Sequence, residues 1–130
     1  MSNNIMTLQP IQTISLIGLG RMGTAIANNI LKSGFNLVVY NRTSDKTRTL
    51  VESGAISAAN PNEAAAKSDV ILTSLRDEAL LVVVNGEEGI LSGLRPNRIH
   101  IGTSTISPSL STRLAEMHHT QGSSYLAAPV

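Results

Sequence analysis

Three glycines stand close together near the start of the chain, in the segment GLGRMG at residues 18–23. Their spacing is G-x-G-x-x-G, in which each glycine has a separate role. Gly18 permits a tight turn, Gly20 lets a phosphate group approach the backbone, and Gly23 lets a helix pack against a strand. Free amide groups at a helix N-terminus attract anions. The segment therefore predicts a diphosphate-binding turn, provided that a strand precedes it and a helix follows it.

A second group of candidate ligand-binding residues, Asn41, Arg42 and Thr43, follows about 20 residues later. Sites for NAD have a carboxylate there, which binds the ribose 2′-hydroxyl. This chain has instead an amide, a guanidinium and a hydroxyl. A guanidinium offers forked donors to a 2′-phosphate, and such charge-assisted bonds contribute about 1.5–3 kcal/mol. We therefore predict NADPH as the cofactor, with NAD less favoured; the alternative is that Arg42 only solvates a loop.

The flanking patterns predict the elements that position these residues. The apolar run at 13–19 is typical of a strand buried on both faces, and a four-residue apolar period from 21 to 31 predicts a helix that ends before Gly34. Further strands are predicted at 37–40, 55–57, 70–74, 98–101 and 124–127, and further helices at 44–53, capped by Ser44, and at 60–68, 77–84 and 107–120. This alternation predicts an α/β fold: a Rossmann-type, doubly wound, mainly parallel sheet with helices on both faces. We expect a flexible N-terminal tail at 1–11 and one dinucleotide-binding domain at 12–130.

Composition limits the other function classes. The chain has 130 residues, a net charge of +1 and only three aromatic residues, so it offers neither the basic surface nor the stacking platform of a nucleic-acid-binding protein. No apolar run approaches the ~20 residues of a membrane span. Without cysteine, the chain has no disulfide or thiolate chemistry, which fits a reducing cytoplasm. We expect a cytoplasmic protein that binds small molecules and neither nucleic acid nor membrane.

The segment from Gly18 to Thr43 resembles the N-terminal signature of the β-hydroxyacid dehydrogenase family. That family includes 3-hydroxyisobutyrate dehydrogenase, glyoxylate and succinic semialdehyde reductases and, more distantly, 6-phosphogluconate dehydrogenases and imine reductases. Residues 103–108 resemble its D-x-S-T-x-x-P segment, and residues 125–130 resemble the start of its D-A-P-V-S-G segment. The chain departs from these motifs at Gly102 and Ala127, where many members have Asp. Because of these two departures, the resemblance does not assign the substrate.

The resemblance implies roles for individual residues. It implies a pyrophosphate turn lined by Leu19, Arg21 and Met22. It also implies contacts of Leu75 and Arg76 with the ribose or adenine side, of Thr105 with the nicotinamide end, and of Ser104 with the substrate carboxylate or its equivalent.

The resemblance also implies a longer parent protein. Family members continue into a helical domain that carries the catalytic lysine and the dimer contacts. The resemblance therefore implies no catalytic residue in this chain, which alone is expected to be inactive. It further implies a parent oxidoreductase that transfers hydride to or from a small carbonyl, hydroxy-acid or imine substrate, and that forms a homo-oligomer through the further domain.

Other interpretations of the sequence remain open. The chain could be a non-catalytic module that binds or senses NADPH. An S-adenosylmethionine methyltransferase also has a glycine-rich turn, but it normally has an acid at the position of Asn41. His118 and His119 are adjacent on a helix, about 100° apart, so we predict a solvated helix end and no metal site. His100 is predicted to be a core histidine with its hydrogen bonds satisfied.

Overall fold

Six parallel strands form a single sheet in the computed structural model, which describes residues 10–130. The strands are β1 (Thr13–Ile17), β2 (Asn36–Tyr40), β3 (Ile56–Ser57), β4 (Val70–Thr73), β5 (Ile99–Gly102) and β6 (Ser124–Ala127). Their order in the sheet is β3-β2-β1-β4-β5-β6, so the winding reverses between β1 and β4. The predicted doubly wound α/β fold is confirmed, and ligands bind such sheets beyond the carboxyl ends of the strands at this reversal.

Within residues 10–130, six α-helices connect the strands. They are α1 (Arg21–Lys32), α2 (Arg48–Glu52), α3 (Pro61–Ala66), α4 (Asp77–Asn85), α5 (Ile90–Gly93) and α6 (Pro108–Thr120). The prediction of one helix over 44–53 with Ser44 as its cap is wrong. Residues Ser44–Thr47 form a 3-10 turn before α2, and the flanking residue Thr43 makes no side-chain cap. The Thr47 hydroxyl donates to the Ser44 carbonyl at 2.7 Å, three residues back, and this bond holds the tighter turn.

Two apolar cores lie on opposite faces of the sheet. Helices α1 and α2 pack on one face, where they meet Leu16 and Val39. Helices α3 to α6 pack on the other face, where they meet Ile17 and Val38. Neighbouring residues of one strand thus enter different cores, which is why β1 and β2 are apolar at successive positions. None of the helices in residues 10–130 has the length and apolar composition needed to cross a bilayer.

Helix α3 begins with a reciprocal capping arrangement. The Asn60 side chain accepts a hydrogen bond from the Glu63 amide at 2.8 Å, and Pro61 occupies the first helical position. Glu63 reaches back to accept from the Ala59 amide, also at 2.8 Å. We expect Asn60→Ala to lower the free energy of unfolding by about 1 kcal/mol. Urea unfolding measures this loss, and an unchanged midpoint would show that the cap contributes nothing.

Candidate cofactor-binding site

The turn after β1 needs glycine at its first and third positions for the protein's own packing. Gly18 has φ +101°, and its amide donates to the Tyr40 carbonyl at 3.1 Å. A Cβ on Gly18 would lie against the carbonyl oxygen of Ser74. A Cβ on Gly23 would lie against the carbonyl oxygen of Gly18. Both glycines therefore let the start of α1 pack closely against the ends of β1 and β4.

Gly20 differs from the other two glycines because the protein itself does not require it. It is exposed and flanks α1 with φ −73° and ψ −166°, a conformation open to any residue. A Cβ built on Gly20 would meet nothing within 4 Å. No side chain of the described residues caps α1, and its first turn carries no acidic residue. Open space beside uncapped helix amides is what an anionic group requires.

A cavity of about 400 Å³ lies on one side of this turn, between the end of β2 and helix α4. We call it the β2–α4 cavity; its lining consists of Ile17, Gly18, Tyr40, Asn41, Arg42, Leu75, Glu78, Ala79, Val82 and Val83. The sequence did not single out the contribution of α4. The contribution of α4 is visible in the folded chain at Val82, whose apolar side chain is 70% exposed.

A second cavity, of about 470 Å³, lies on the other side, beyond the ends of β4 and β5. This β4–β5 cavity is lined by Arg21, Met22, Ser74, Leu75, Arg76, Thr103, Ser104, Thr105 and Val130. The structure thus brings together six residues to which the resemblance gives a role: Arg21, Met22, Leu75, Arg76, Ser104 and Thr105. Leu75 lines both cavities, so they meet next to the glycine turn.

The side chains of two predicted site residues, Leu19 and Thr43, line neither of the two cavities. Leu19 has a side chain that is only 2% exposed and belongs to the core under α1. Its amide donates to Oδ1 of Asn41 at 2.8 Å. Thr43 is exposed but lines neither of the two cavities, and its carbonyl accepts from Nδ2 of Asn41 at 3.0 Å. The Asn41 carboxamide therefore joins the glycine turn to the segment after β2.

A buried histidine pair lies between the sheet and α6, outside both cavities. Nε2 of His100 lies 2.7 Å from Oγ1 of Thr73, and Nδ1 of His100 lies 3.1 Å from Nε2 of His118. Nδ1 of His118 donates to the Leu114 carbonyl at 2.7 Å. The core role predicted for His100 is confirmed. The prediction of a solvated His118 is wrong: it is fully buried because α6 turns this face to the sheet, whereas the adjacent His119 is exposed.

The bonds of this pair define one consistent pattern for two neutral rings. Since the Leu114 carbonyl only accepts, Nδ1 of His118 carries a proton, and Nε2 then accepts from Nδ1 of His100. Burial lowers the pKa of His100 well below its usual value, and the neighbouring His118 lowers it further. Burial also lowers the pKa of His118, against the opposing effect of the bond to Leu114. Both rings therefore favour the neutral form.

Tyr125 completes this buried cluster and accounts for one departure from the family pattern. Its ring lies 4.9 Å from the His100 ring, edge to face, and 5.5 Å from the His118 ring. A Cβ on Gly102 would lie against the Tyr125 hydroxyl. The tyrosine thus occupies the space in which an aspartate at position 102 would begin.

Known proteins are similar to this chain in sequence. The model of the NAD-binding domain of 6-phosphogluconate dehydrogenase matches residues 13–130. The uncharacterized oxidoreductase YfjR of Bacillus subtilis is 48% identical over 118 residues, which span 90% of this chain and 41% of that protein. The human cytokine-like nuclear factor N-PAC is 34% identical over 118 residues, which span 90% of this chain and 21% of that protein. The chain thus spans less than half the length of these relatives.

Solved structures share the fold. The 3-hydroxyisobutyrate dehydrogenase of Mycobacterium tuberculosis, solved with L-serine, superposes with a TM-score of 0.85 at 25% identity, covering 93% of this chain and 41% of that one. The imine reductase of Myxococcus stipitatus with NADP⁺ has a TM-score of 0.80 at 28% identity, covering 88% and 39%. Its V8 variant with NAD⁺ has a TM-score of 0.81 at 26% identity, covering 92% and 40%. These comparisons confirm the resemblance seen in the sequence, and the chain belongs to the family of the NAD-binding domain of 6-phosphogluconate dehydrogenase.

Proposed function

We propose that this chain is the NADPH-binding domain of an oxidoreductase that transfers hydride between nicotinamide and a small carbonyl, hydroxy-acid or imine substrate. The observation that carries the proposal is the open space over Gly20, with a cavity on either side. A diphosphate in that space would have the first-turn amides of α1 as donors. An adenosine would then occupy the β2–α4 cavity, and the nicotinamide the β4–β5 cavity.

Each end of the site has chemistry suited to its part of the ligand. Val82 and Val83 give the β2–α4 cavity an apolar wall, and Arg42 lines the same cavity with a cation. Ser104 and Thr105 give the β4–β5 cavity hydroxyl groups that can donate to a substrate carboxylate or carbonyl. A nicotinamide held beside these hydroxyl groups would supply or accept the hydride.

A proton donor for the substrate oxygen is part of the same proposal. Reduction of a carbonyl needs a donor near the developing alkoxide. Among the described residues, no lysine lines either of the two cavities, and Lys32, Lys46 and Lys67 are exposed. We propose that a further domain of the parent protein supplies this donor, and that the chain alone binds cofactor without turnover.

Arg42 is the proposed determinant of NADPH preference. We expect Arg42→Ala to weaken NADPH binding about ten- to a hundredfold, because one or more charge-assisted bonds to the 2′-phosphate are lost. Binding of NADH should stay unchanged, and Arg113→Ala, an exposed change on α6, serves as the control. Nicotinamide fluorescence titrations measure the NADPH and NADH affinities of the wild type and of both variants. An NADPH affinity that Arg42→Ala leaves intact would contradict the preference. Related structures carry NADP⁺ and NAD⁺, so both cofactors must be tested.

A second candidate function is a non-catalytic NADPH-binding module. N-PAC, one of the relatives, is named as a nuclear factor and not as an enzyme, which keeps this candidate in view. The two functions differ in turnover by the parent protein. Consumption of NADPH with a panel of small aldehydes, keto acids and imines supports the oxidoreductase, while tight NADPH binding without turnover supports the module.

We further propose a cytoplasmic location, in keeping with the cysteine-free sequence, and a homo-oligomeric parent.

A further inference from the structure

We infer that Asn41 is a positioning residue that couples the diphosphate-binding turn to the segment carrying Arg42, and so sets the selectivity for the 2′-phosphate. This inference rests on the proposed function and deepens it. The Asn41 carboxamide uses both of its ends, since Oδ1 accepts from the Leu19 amide at 2.8 Å and Nδ2 donates to the Thr43 carbonyl at 3.0 Å. One side chain thus spans the two segments that would hold the two phosphate-bearing parts of the cofactor.

Backbone pairing between these segments ends just before Asn41. The register of β1 and β2 runs to the pair Ile17 and Tyr40, and the Gly18 amide then donates to the Tyr40 carbonyl at 3.1 Å. Beyond that point, among the described residues, the Asn41 side chain makes the hydrogen bond that joins the turn to the segment at 41–43. The neighbouring Arg42 is exposed and lies between the two residues, Asn41 and Thr43, that the carboxamide bond connects.

The two bonds also explain why this position has an amide and not the carboxylate of NAD sites. The Leu19 amide donates to Oδ1, and the Thr43 carbonyl, which also accepts from the Lys46 amide at 3.2 Å, accepts from Nδ2. A carboxamide supplies both the acceptor and the donor. An aspartate would keep the bond from Leu19 but would place an anionic oxygen against the Thr43 carbonyl. The half-buried Asn41 therefore favours NADPH by holding Arg42 in place, in addition to lacking a charge that repels the 2′-phosphate.

The effect of the link on binding is one of preorganisation. A guanidinium held near its binding geometry loses less conformational freedom when a phosphate arrives. We therefore expect Asn41→Ala to lower the ratio of NADPH to NADH affinity about tenfold, the order of one charge-assisted hydrogen bond. NADH affinity should fall less, because that cofactor makes no use of a positioned Arg42.

A double-mutant cycle tests this coupling in the full chain. NADPH and NADH affinities are measured for the wild type, Asn41→Ala, Arg42→Ala and the double variant by fluorescence titration. If Asn41 acts through Arg42, the double variant discriminates no worse than Arg42→Ala alone. If the two losses in the affinity ratio multiply, the positioning role is overturned. Asn36→Ala, which removes an exposed asparagine at the opposite end of β2, should leave the ratio unchanged.

Amide hydrogen exchange without any nucleotide provides an independent measurement. The Leu19 amide should exchange at least about tenfold more quickly in Asn41→Ala than in the wild type, while Asn41→Asp, which keeps the acceptor, should restore its protection without restoring NADPH preference. Equal Leu19 exchange in the wild type and Asn41→Ala overturns the link itself. If the wild type does not prefer NADPH to NADH, both the proposed cofactor and the selectivity role of Asn41 are overturned. If the wild type prefers NADPH but the losses of the two single variants multiply in the double variant, only the role of Asn41 is overturned.

Discussion

Replacing Gly20 with alanine is expected to weaken NADPH binding about a hundredfold while changing the free energy of unfolding by less than about 1 kcal/mol. The protein leaves open space where the new Cβ would lie, and the backbone of Gly20 suits any residue. The methyl group would instead occupy the place through which a diphosphate approaches the first-turn amides of α1. Losing about two charge-assisted bonds of about 1.5 kcal/mol each corresponds to this hundredfold change.

Gly23→Ala is the matched variant, because it adds the same methyl group three residues later. There the Cβ would lie against the Gly18 carbonyl oxygen, so the start of α1 must shift away from the strand. We expect a loss of about 3 kcal/mol or more in unfolding free energy, together with lost binding. Urea unfolding and NADPH titration of both variants separate the two effects. A Gly20→Ala protein that binds NADPH like the wild type would show that no diphosphate lies at the turn.

Acidification from pH 7 to pH 5 is expected to destabilise the folded chain by about 2–4 kcal/mol through the buried histidine pair. Burial holds the pKa of His100 and of His118 below the ordinary value near 6.5. Unfolding therefore takes up protons in this range. The stabilisation by the neutral rings is fully present above the histidine pKa of the unfolded chain, and it is lost as the pH falls below that pKa. Each ring that stays neutral in the folded chain contributes about 1.4 kcal/mol per pH unit.

His118→Leu tests the assignment of this acid sensitivity. The variant should lose about half of the slope of stability against pH between 5 and 7, because one of two titrating rings is gone. At pH 8 it should be less stable by about 1–3 kcal/mol, since Nδ1 of His100 loses its acceptor. Urea unfolding at several pH values measures both effects. His119→Gln is the control because its ring is exposed, and an equal loss of slope in this control would contradict the role of the pair.

The shifted pKa values of Tyr125 and Asp69 lie outside this pH range. Burial raises the pKa of Tyr125, which packs against both rings, so it stays neutral throughout. The backbone amides of Gln12 and Thr13, which donate to Asp69 at 3.0 and 3.1 Å, lower the pKa of that carboxyl below its usual value. The stability that Asp69 contributes is present above this usual value and is lost only as the pH falls below about 4. The window between pH 5 and pH 7 therefore reports the histidines.

Local patterns in the sequence determined the elements and the type of fold. Apolar runs and a four-residue period fix strands and helices because they depend on backbone geometry within a few residues. The cap at Asn60 and the glycine turn at 18–23 are local in the same sense, and the structure contains both as helix starts. Alternation of strands and helices leaves few alternatives to a parallel doubly wound sheet, since parallel strands need crossover connections.

Only the tertiary structure decided which residues meet across long distances in the chain. The bond between Leu19 and Asn41 joins positions 22 apart, and the bond between His100 and His118 joins a strand to a face of α6 that periodicity did not identify. The same holds for the β2–α4 cavity, which exists because α4 packs beside the end of β2. The sequence by itself thus determined the sheet, the helices and the glycine turn, whose causes are local. Packing between distant segments, which no local pattern encodes, decided the rest. It produced the hydrogen bond between Leu19 and Asn41, the burial of His118 and the walls of the two cavities.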